Sequence, residues 1–285
     1  MSGTLYLCAT PIGNLKDITL RVIETLESVD LIAAEDTRIS IKLLNHFKIN
    51  TPMTSYHEHN KYEKGEQLIE RLLNGEDIAL ITDAGTPGIS DPGEELVIMC
   101  YEAGIRVTAL PGAAACIAAL SISGQSTRRF VFEGFLPSGN KARTEAIKSL
   151  CHEPRTIVIY EAPHRLVKTL ESLLSHLDNR QISVCRELTK RYETVYKGDL
   201  ESAIAFYEKQ PPKGECVLVI SGKDLEELKQ EAEDSWNEWT IEEHMDFYLS
   251  EGIDKKEAMK KVAKDRGVSK RDVYNYLVTG TQEGG

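Results

Sequence analysis

Short apolar runs recur along the first 120 residues, separated by amphipathic stretches. TLYLCA, DLIAAE, IALITD and RVTALP each read as a buried strand of about four to six residues, rich in aliphatic and β-branched side chains. Between them Ile18, Val22, Leu26 and Val29 recur at helical spacing, as do Leu68, Leu72 and Leu73 before Gly75. Strand alternating with helix predicts an α/β layer around a largely parallel sheet. A second series begins near Phe130: RFVFEGF, TIVIYEA, QISVCREL and ECVLVISG read as strands, with helical stretches at residues 141–151, 163–176 and 200–209. The polar run SISGQSTRR, residues 121–129, is the natural boundary. The pattern therefore predicts an α/β domain over residues 1–121, a second over 122–223, an acidic linker over 224–239 and an all-helical module over 240–285.

Composition adds a bound rather than a fold. The chain has 285 residues, 41% apolar and 28% charged, as an ordinary globular protein does. No apolar stretch approaches the roughly 18 residues of a membrane span, and the N-terminus lacks a basic region followed by an apolar one. A cytoplasmic protein without a membrane partner is expected. The six cysteines are widely spaced, without CxxC or Cys/His clustering, so neither a zinc site nor a disulfide framework is indicated. The net charge of −11 argues at first against a nucleic-acid partner. Its distribution removes the objection: residues 224–254 contain twelve acids and one base, Lys229, and the rest of the chain balances 33 acids with 33 bases.

Three loops that follow strands are rich in Gly and Pro: ATPIGNLKD, DAGTPGISDPG and LPGAAA. Parallel sheets bind ligands beyond the carboxyl ends of their strands. Three such loops at one edge predict a shared pocket. No GxGxxG follows a strand, and GxxxxGK[ST], GxSxG and HExxH are absent, so no dinucleotide fold, P-loop, hydrolase elbow or zinc protease is supported. A small amphipathic cofactor held mostly by backbone stays open.

The strings GTLYLCATPIGNLKDITLR, AAEDTR, SYHEHN, ITDAGTPGISDPG, ALPGAAA, EAPHR, RELTKRYE and GECVLVI stand in this order. Taken together they resemble the ribosomal RNA small subunit methyltransferase I family of the tetrapyrrole-methylase superfamily, over essentially the whole chain. The resemblance implies two α/β domains of tetrapyrrole-methylase type with a cleft for S-adenosylmethionine between them, and a homodimer. It also implies 2'-O-methylation of a cytidine ribose in the decoding region of 16S ribosomal RNA within the small subunit. By the same resemblance Pro11 faces the reacting methyl, and Asp83, Ala84, Gly85, Gly88 and Ile89 hold the methionine part. Ala114 and Ala115 flank the cofactor, while Glu161, Ala162, Gly214, Glu215, Cys216 and Val217 lie near the adenine. ATPIGN stands where many tetrapyrrole enzymes have a loop richer in glycine, which favours RNA over a porphyrin or corrin. The alternatives are a tetrapyrrole or protein methylase of the same fold, or a ribosome-associated RNA-binding module without catalysis.

Methyl transfer to a ribose hydroxyl asks for alignment and a proton acceptor, and for no metal. Glu35, Asp36 and Arg38 end the second strand at the ligand edge; His57, with Glu58 and His59, follows the next strand-like run. In RELTKRYE, Glu187 and Glu193 are expected in the cleft and Lys190 on a phosphate. His164 and Arg165 open a helix where a basic side chain meets phosphate. Residues 255–271 hold eight bases and two acids. The spacing of Ala258, Val262 and Ala263, then Gly267, Ser269, Val273, Tyr274 and Leu277 resembles a helix-turn-helix. Its Lys260, Lys264, Lys270 and Arg271 are expected to track RNA phosphates.

Overall fold

The structure, a computed structural model, describes residues 2–279, apart from the side chains of residues 232–235, 237, 238 and 279. Residues 280–285 of the expected C-terminal module lie outside the described residues. Two compact units emerge, residues 1–222 and 223–285.

Five parallel strands begin the first unit: β1 (Thr4–Cys8), β2 (Leu31–Ala34), β3 (Met53–Ser55), β4 (Ile78–Ile81) and β5 (Arg106–Leu110), in the order β3-β2-β4-β1-β5. Helices α1 (Leu20–Ser28), α2 (Thr37–Phe47), α3 (Lys61–Leu73) and α4 (Gly93–Glu102) connect them. Alternation along a strand sends neighbours to opposite faces. Ile78 and Leu80 accordingly pack with Leu68, Leu72 and Leu96, whereas Ala79 and Ile81 pack with Val22, Leu26 and Leu44. Helices on both faces explain why β2 and β4 are buried throughout and read as continuous apolar runs.

The helix after β5 leaves this sheet. In α5 (Ala115–Ser123), Cys116, Ala119 and Leu120 pack on Val158, Cys185, Val217 and Val219 of the second sheet. That sheet orders β6 (Phe130–Phe135), β7 (Thr156–Glu161), β10 (Cys216–Ile220), β8 (Gln181–Arg186) and β9 (Thr194–Asp199) side by side. β6 and β7 are parallel, and the remaining pairs are antiparallel. Its other face packs on α7 (Leu166–Leu177) and α8 (Leu200–Lys209), with α6 (Asn140–Ser149) beside α7. The run 121–129 thus begins inside a helix that belongs, by packing, with the second sheet.

Among the described residues the second unit is four helices: α9 (Leu225–Glu238), α10 (Ile241–Ser250), α11 (Lys255–Asp265) and α12 (Lys270–Thr279). Residues 224–239, read from sequence as a linker, are thus mostly helix, capped by Asp224, whose carboxylate accepts from the Glu226 amide at 2.7 Å. Ile241, Met245, Ala258, Val262 and Val273 form the core. Gly267 turns the chain at φ +64°, and Ser269 and Asp272 cap each other's backbone amides at the start of α12. Tyr274, which the helical spacing groups with the inward Val273 and Leu277, is exposed.

Candidate active site

The three Gly/Pro loops converge, as their positions after β1, β4 and β5 require. Thr10 and Gly85 form an isolated antiparallel bridge, with N–H to O distances of 2.8 and 3.1 Å. Thr86 Oγ1 donates to the Ala113 carbonyl at 3.0 Å, tying the second loop to the third. Between these loops and the start of β10 lies a cavity of about 260 Å³.

On the first-sheet side the cavity is lined by Ile12, Glu35, Thr82, Asp83, Ala84, Gly85, Thr86, Ile89, Ser90 and Asp91. Ala114 and Ala115 at the start of α5 close one wall. Phe135, Tyr160, Cys185, Glu187, Leu188, Lys190, Glu215, Cys216 and Val217 complete it from the second sheet. Twelve of the expected site residues therefore meet here: Glu35, Asp83, Ala84, Gly85, Ile89, Ala114, Ala115, Glu187, Lys190, Glu215, Cys216 and Val217. The sequence pattern does not distinguish Ile12, Thr82, Thr86, Ser90, Asp91 and Leu188, although each lies within ATPIGN, ITDAGTPGISDPG or RELTKRYE. Phe135 and Tyr160 carry no such signal beyond an aromatic at the end of a strand.

The acids are arranged in layers. Glu35 accepts a short hydrogen bond from the Thr82 hydroxyl, and Asp83 accepts from the Asp36 amide at 3.1 Å. Burial, then the neighbouring Glu35 charge, pushes the Asp83 carboxyl up. Asp91 is likewise pushed up by burial, and it receives the Gly88 and Gly93 amides at 2.8–2.9 Å. Burial lifts the Cys216 thiol to about 12, which keeps it un-ionised and unsuited to nucleophilic work.

Backbone strain concentrates at the same place. Among the described residues, five that are not glycine have positive φ. Lys48 and Asp178 end helices, but Ser90, Glu187 and Thr189 sit on two of the loops that border the cavity, at φ +65°, +51° and +67°. Each such residue costs roughly 1–3 kcal/mol unless its surroundings hold it.

Other expected residues lie elsewhere, for identifiable reasons. Asp36 caps α2 and binds the Arg38 guanidinium at 2.6 Å; that hydrogen bond holds its carboxyl down near 2, which makes it a poor proton acceptor. Arg38 points to solvent beside it. His57 is on the loop after β3, the outer strand of the sheet, where its amide donates to Asn60 Oδ1 at 2.8 Å; it does not line the cavity. Glu193 receives the Thr189 amide at 2.7 Å and braces the loop from outside the cavity. Glu161 is fully buried, accepting from the Thr169 hydroxyl and the Ala162 amide, so both it and Ala162 build the turn into α7. Arg165 pairs with Glu161 at 3.3 Å and donates to the Leu136 and Pro137 carbonyls, which occupies the guanidinium internally. Gly88 holds Asp91, and Pro11 is not among the lining residues. His164 and Gly214 line a separate, shallower concavity between α7, α8 and the Pro211–Pro212 loop.

In the second unit Lys260, Lys264 and Arg271 are exposed and Lys270 is half-buried. Lys260 pairs with Glu257 at 2.9 Å. Arg266, counted among the bases of this stretch, is taken up by the module's interior: it donates to His244 Nδ1 at 3.1 Å and to the carbonyls of Trp236, Trp239 and Thr240. Among the described residues no cluster suited to a metal ion occurs, and no helix is long and apolar enough to cross a membrane.

Two packed α/β sheets enclosing an acid-rich cavity at the ends of parallel strands define the class, and comparison with known proteins agrees. Residues 4–204 match the profile of the tetrapyrrole (corrin/porphyrin) methylases. Diphthine synthase superposes with a TM-score of 0.61 at 16% identity, over 78% of this chain and 91% of that one. Uroporphyrin-III-C-methyltransferase from Thermus thermophilus superposes at 0.56 and 19%, over 77% and 94%. Both likenesses concern the fold. The ribosomal RNA small subunit methyltransferase I of Synechocystis sp. is 48% identical over 95% of this chain and 96% of its own length. That of Halalkalibacterium halodurans is 50% identical over 96% and 94%. The chain belongs to the tetrapyrrole methylases and, within them, to the ribosomal RNA small subunit methyltransferase I family.

Proposed function

We propose that the protein transfers a methyl group from S-adenosylmethionine to the 2'-hydroxyl of a cytidine ribose in 16S ribosomal RNA. The observation that carries the cofactor is the charge of the cavity. Glu35, Asp83, Asp91, Glu187 and Glu215 line it against one cation, Lys190, which suits a ligand bearing both a sulfonium and an ammonium. Aliphatic Ile12, Ile89, Leu188 and Val217, with Phe135 and Tyr160, offer the apolar surface that an adenosine needs. Ala114 gives α5 no side-chain cap; the Cys116 amide donates to the Tyr160 hydroxyl at 3.1 Å, and its neighbours at that helix start face the place of a carboxylate. When bound, the cofactor supplies an already activated methyl. The ribosomal substrate is supported by the relatives named above, and the ribose oxygen by the resemblance of the motifs. The same reading has the protein act in the cytoplasm, as a homodimer, on the small ribosomal subunit.

The test is incubation with tritiated S-adenosylmethionine and small subunits from cells lacking the enzyme. Label on a cytidine ribose is expected. Label confined to a small molecule, or none despite tight subunit binding, refutes the reading.

The basic stretch of α11 and α12 is proposed to track phosphate. Deleting residues 223–285 is expected to weaken binding to small-subunit RNA and to lower the salt dependence of that binding by about one unit of log–log slope for each phosphate no longer neutralised. Cofactor affinity should stay unchanged. Equal RNA affinity and slope, measured across one salt series, count against the tail as an RNA-binding element.

A further inference from the structure

The cavity contains an ion pair for which the surrounding backbone has been cleared on two sides. Lys190 Nζ lies 3.0 Å from Glu187 Oε1. A methyl group on Gly13 would lie 2.5 Å from Lys190 Cγ and 2.8 Å from Cε, and one on Gly214 would overlap the Glu187 carboxylate. Glu187 itself is left-handed at φ +51°. Two glycines from different loops and one strained residue thus hold a single Lys–Glu pair at the cavity wall. An ordinary surface pair, worth at most about 1 kcal/mol, would not offset that cost.

We infer that Glu187 accepts the proton of the ribose hydroxyl while Lys190 holds the oxygen and stabilises its developing negative charge. The inference rests on the methyl-transfer reading above. Lys190 is the only cation among the described residues lining the cavity, and Glu187 is the carboxylate bonded to it. A ribose hydroxyl is a weak acid, and its oxygen becomes an effective nucleophile only as the proton leaves. In the step, the O–CH3 bond forms as the S–CH3 bond breaks, the bonding pair stays on sulfur to give a neutral thioether, and the hydroxyl proton ends on Glu187. Asp36, His57 and Glu193 do not line the cavity.

The experiment combines turnover on small subunits, a pH–rate profile and calorimetry with S-adenosylmethionine. Lys190→Gln and Glu187→Gln are each expected to lower kcat about 100-fold, a loss far larger than any accompanying change in cofactor affinity. The double variant should be no worse than the poorer single one, because the pair acts as a unit. An acid limb in the wild-type pH–rate profile should be lost in Glu187→Gln. Lys190→Arg should recover part of the rate. Lys190→Gln or Glu187→Gln turning over at the wild-type rate with an unchanged profile overturns the inference while leaving the methyl-transfer reading intact. Wild-type protein that binds the cofactor but labels no ribosomal RNA overturns both.

Discussion

Replacing Gly85 by arginine is expected to abolish S-adenosylmethionine binding, a loss of more than 100-fold in affinity, with the fold retained. Gly85 has φ +91°, a conformation that costs other residues roughly 1–3 kcal/mol. Its backbone cannot relax freely, because both its N–H and its carbonyl are bonded to Thr10. A Cβ at this position stands 3.4 Å from Ile12 Cγ2 and 3.6 Å from the Ala113 carbonyl. The first atom therefore fits, and the obstruction comes from the rest of the side chain in a cavity of about 260 Å³. A guanidinium there would also meet Glu35 and Asp83, the carboxylates proposed to receive the positive cofactor. Gly85→Ala separates the two contributions: it adds the strain without the occlusion, so it is expected to lower stability by about 1–3 kcal/mol with a far smaller loss of cofactor affinity than arginine. Calorimetry measures both affinities, and far-ultraviolet circular dichroism checks the fold. Arginine at position 85 with wild-type affinity would refute the placement of the cofactor.

The loops of this site were legible because they are rich in Gly and Pro and follow strands of a parallel sheet, where ligands bind. DAGTPGISDPG contributes Asp83, Ala84, Gly85, Thr86, Ile89, Ser90 and Asp91 to one wall. Strands buried on both faces, such as β2 and β4, announce themselves as apolar runs. Among the edge strands β5 and β6 are legible too, whereas β3 and β9 give a weaker signal. β3 is MTS and β9 is TVYKGD; each pairs on one side only and is half-buried, so its residues need not be apolar. Nor does a residue's loop reveal its orientation. Asp36 and Glu35 are adjacent, yet one turns outward to cap α2 and the other turns in to Thr82. Arg165 and Glu161 read as a phosphate contact and a cofactor contact, but long-range bonds to Leu136 and Thr169 hold them within the fold. The acidic block was misleading in another way. In α9 the apolar Leu225, Leu228, Ala232 and Trp236 recur at helical spacing but are outnumbered by acids, and the helix is supported by the Asp224 cap and the Lys229–Glu226 pair at 2.7 Å.

Arg266→Met is expected to destabilise the C-terminal unit by about 3 kcal/mol, enough to unfold much of a module of this size. His244 is completely buried, stacked between Trp236 at 4.9 Å and Tyr248 at 5.4 Å. Arg266 donates to His244 Nδ1 and to three backbone carbonyls around the α9–α10 junction, so its removal leaves the buried His244 Nδ1 and the half-buried Trp236 carbonyl without that donor. This geometry also sets a pH dependence. Burial, then the Arg266 charge, lowers the pKa of His244 below its ordinary 6.5, while Asp265, 3.5 Å from Nε2 and bonded to the Tyr248 hydroxyl, opposes the shift. An unfolded chain then binds a proton that the folded module resists. Stability is therefore full above about pH 6.5 and falls as the pH drops toward the depressed value of the folded state. Both tryptophans of the protein, Trp236 and Trp239, lie beside His244, so tryptophan fluorescence reports on this unit. Urea titrations followed by that signal should show a lower midpoint for Arg266→Met at pH 8, and for the wild type at pH 5 relative to pH 8. His244→Gln should lose most of the pH dependence. Equal midpoints for wild type and Arg266→Met would show that the network does not stabilise the module. A wild-type midpoint that rises on acidification would mean that Asp265, rather than burial and Arg266, governs the histidine.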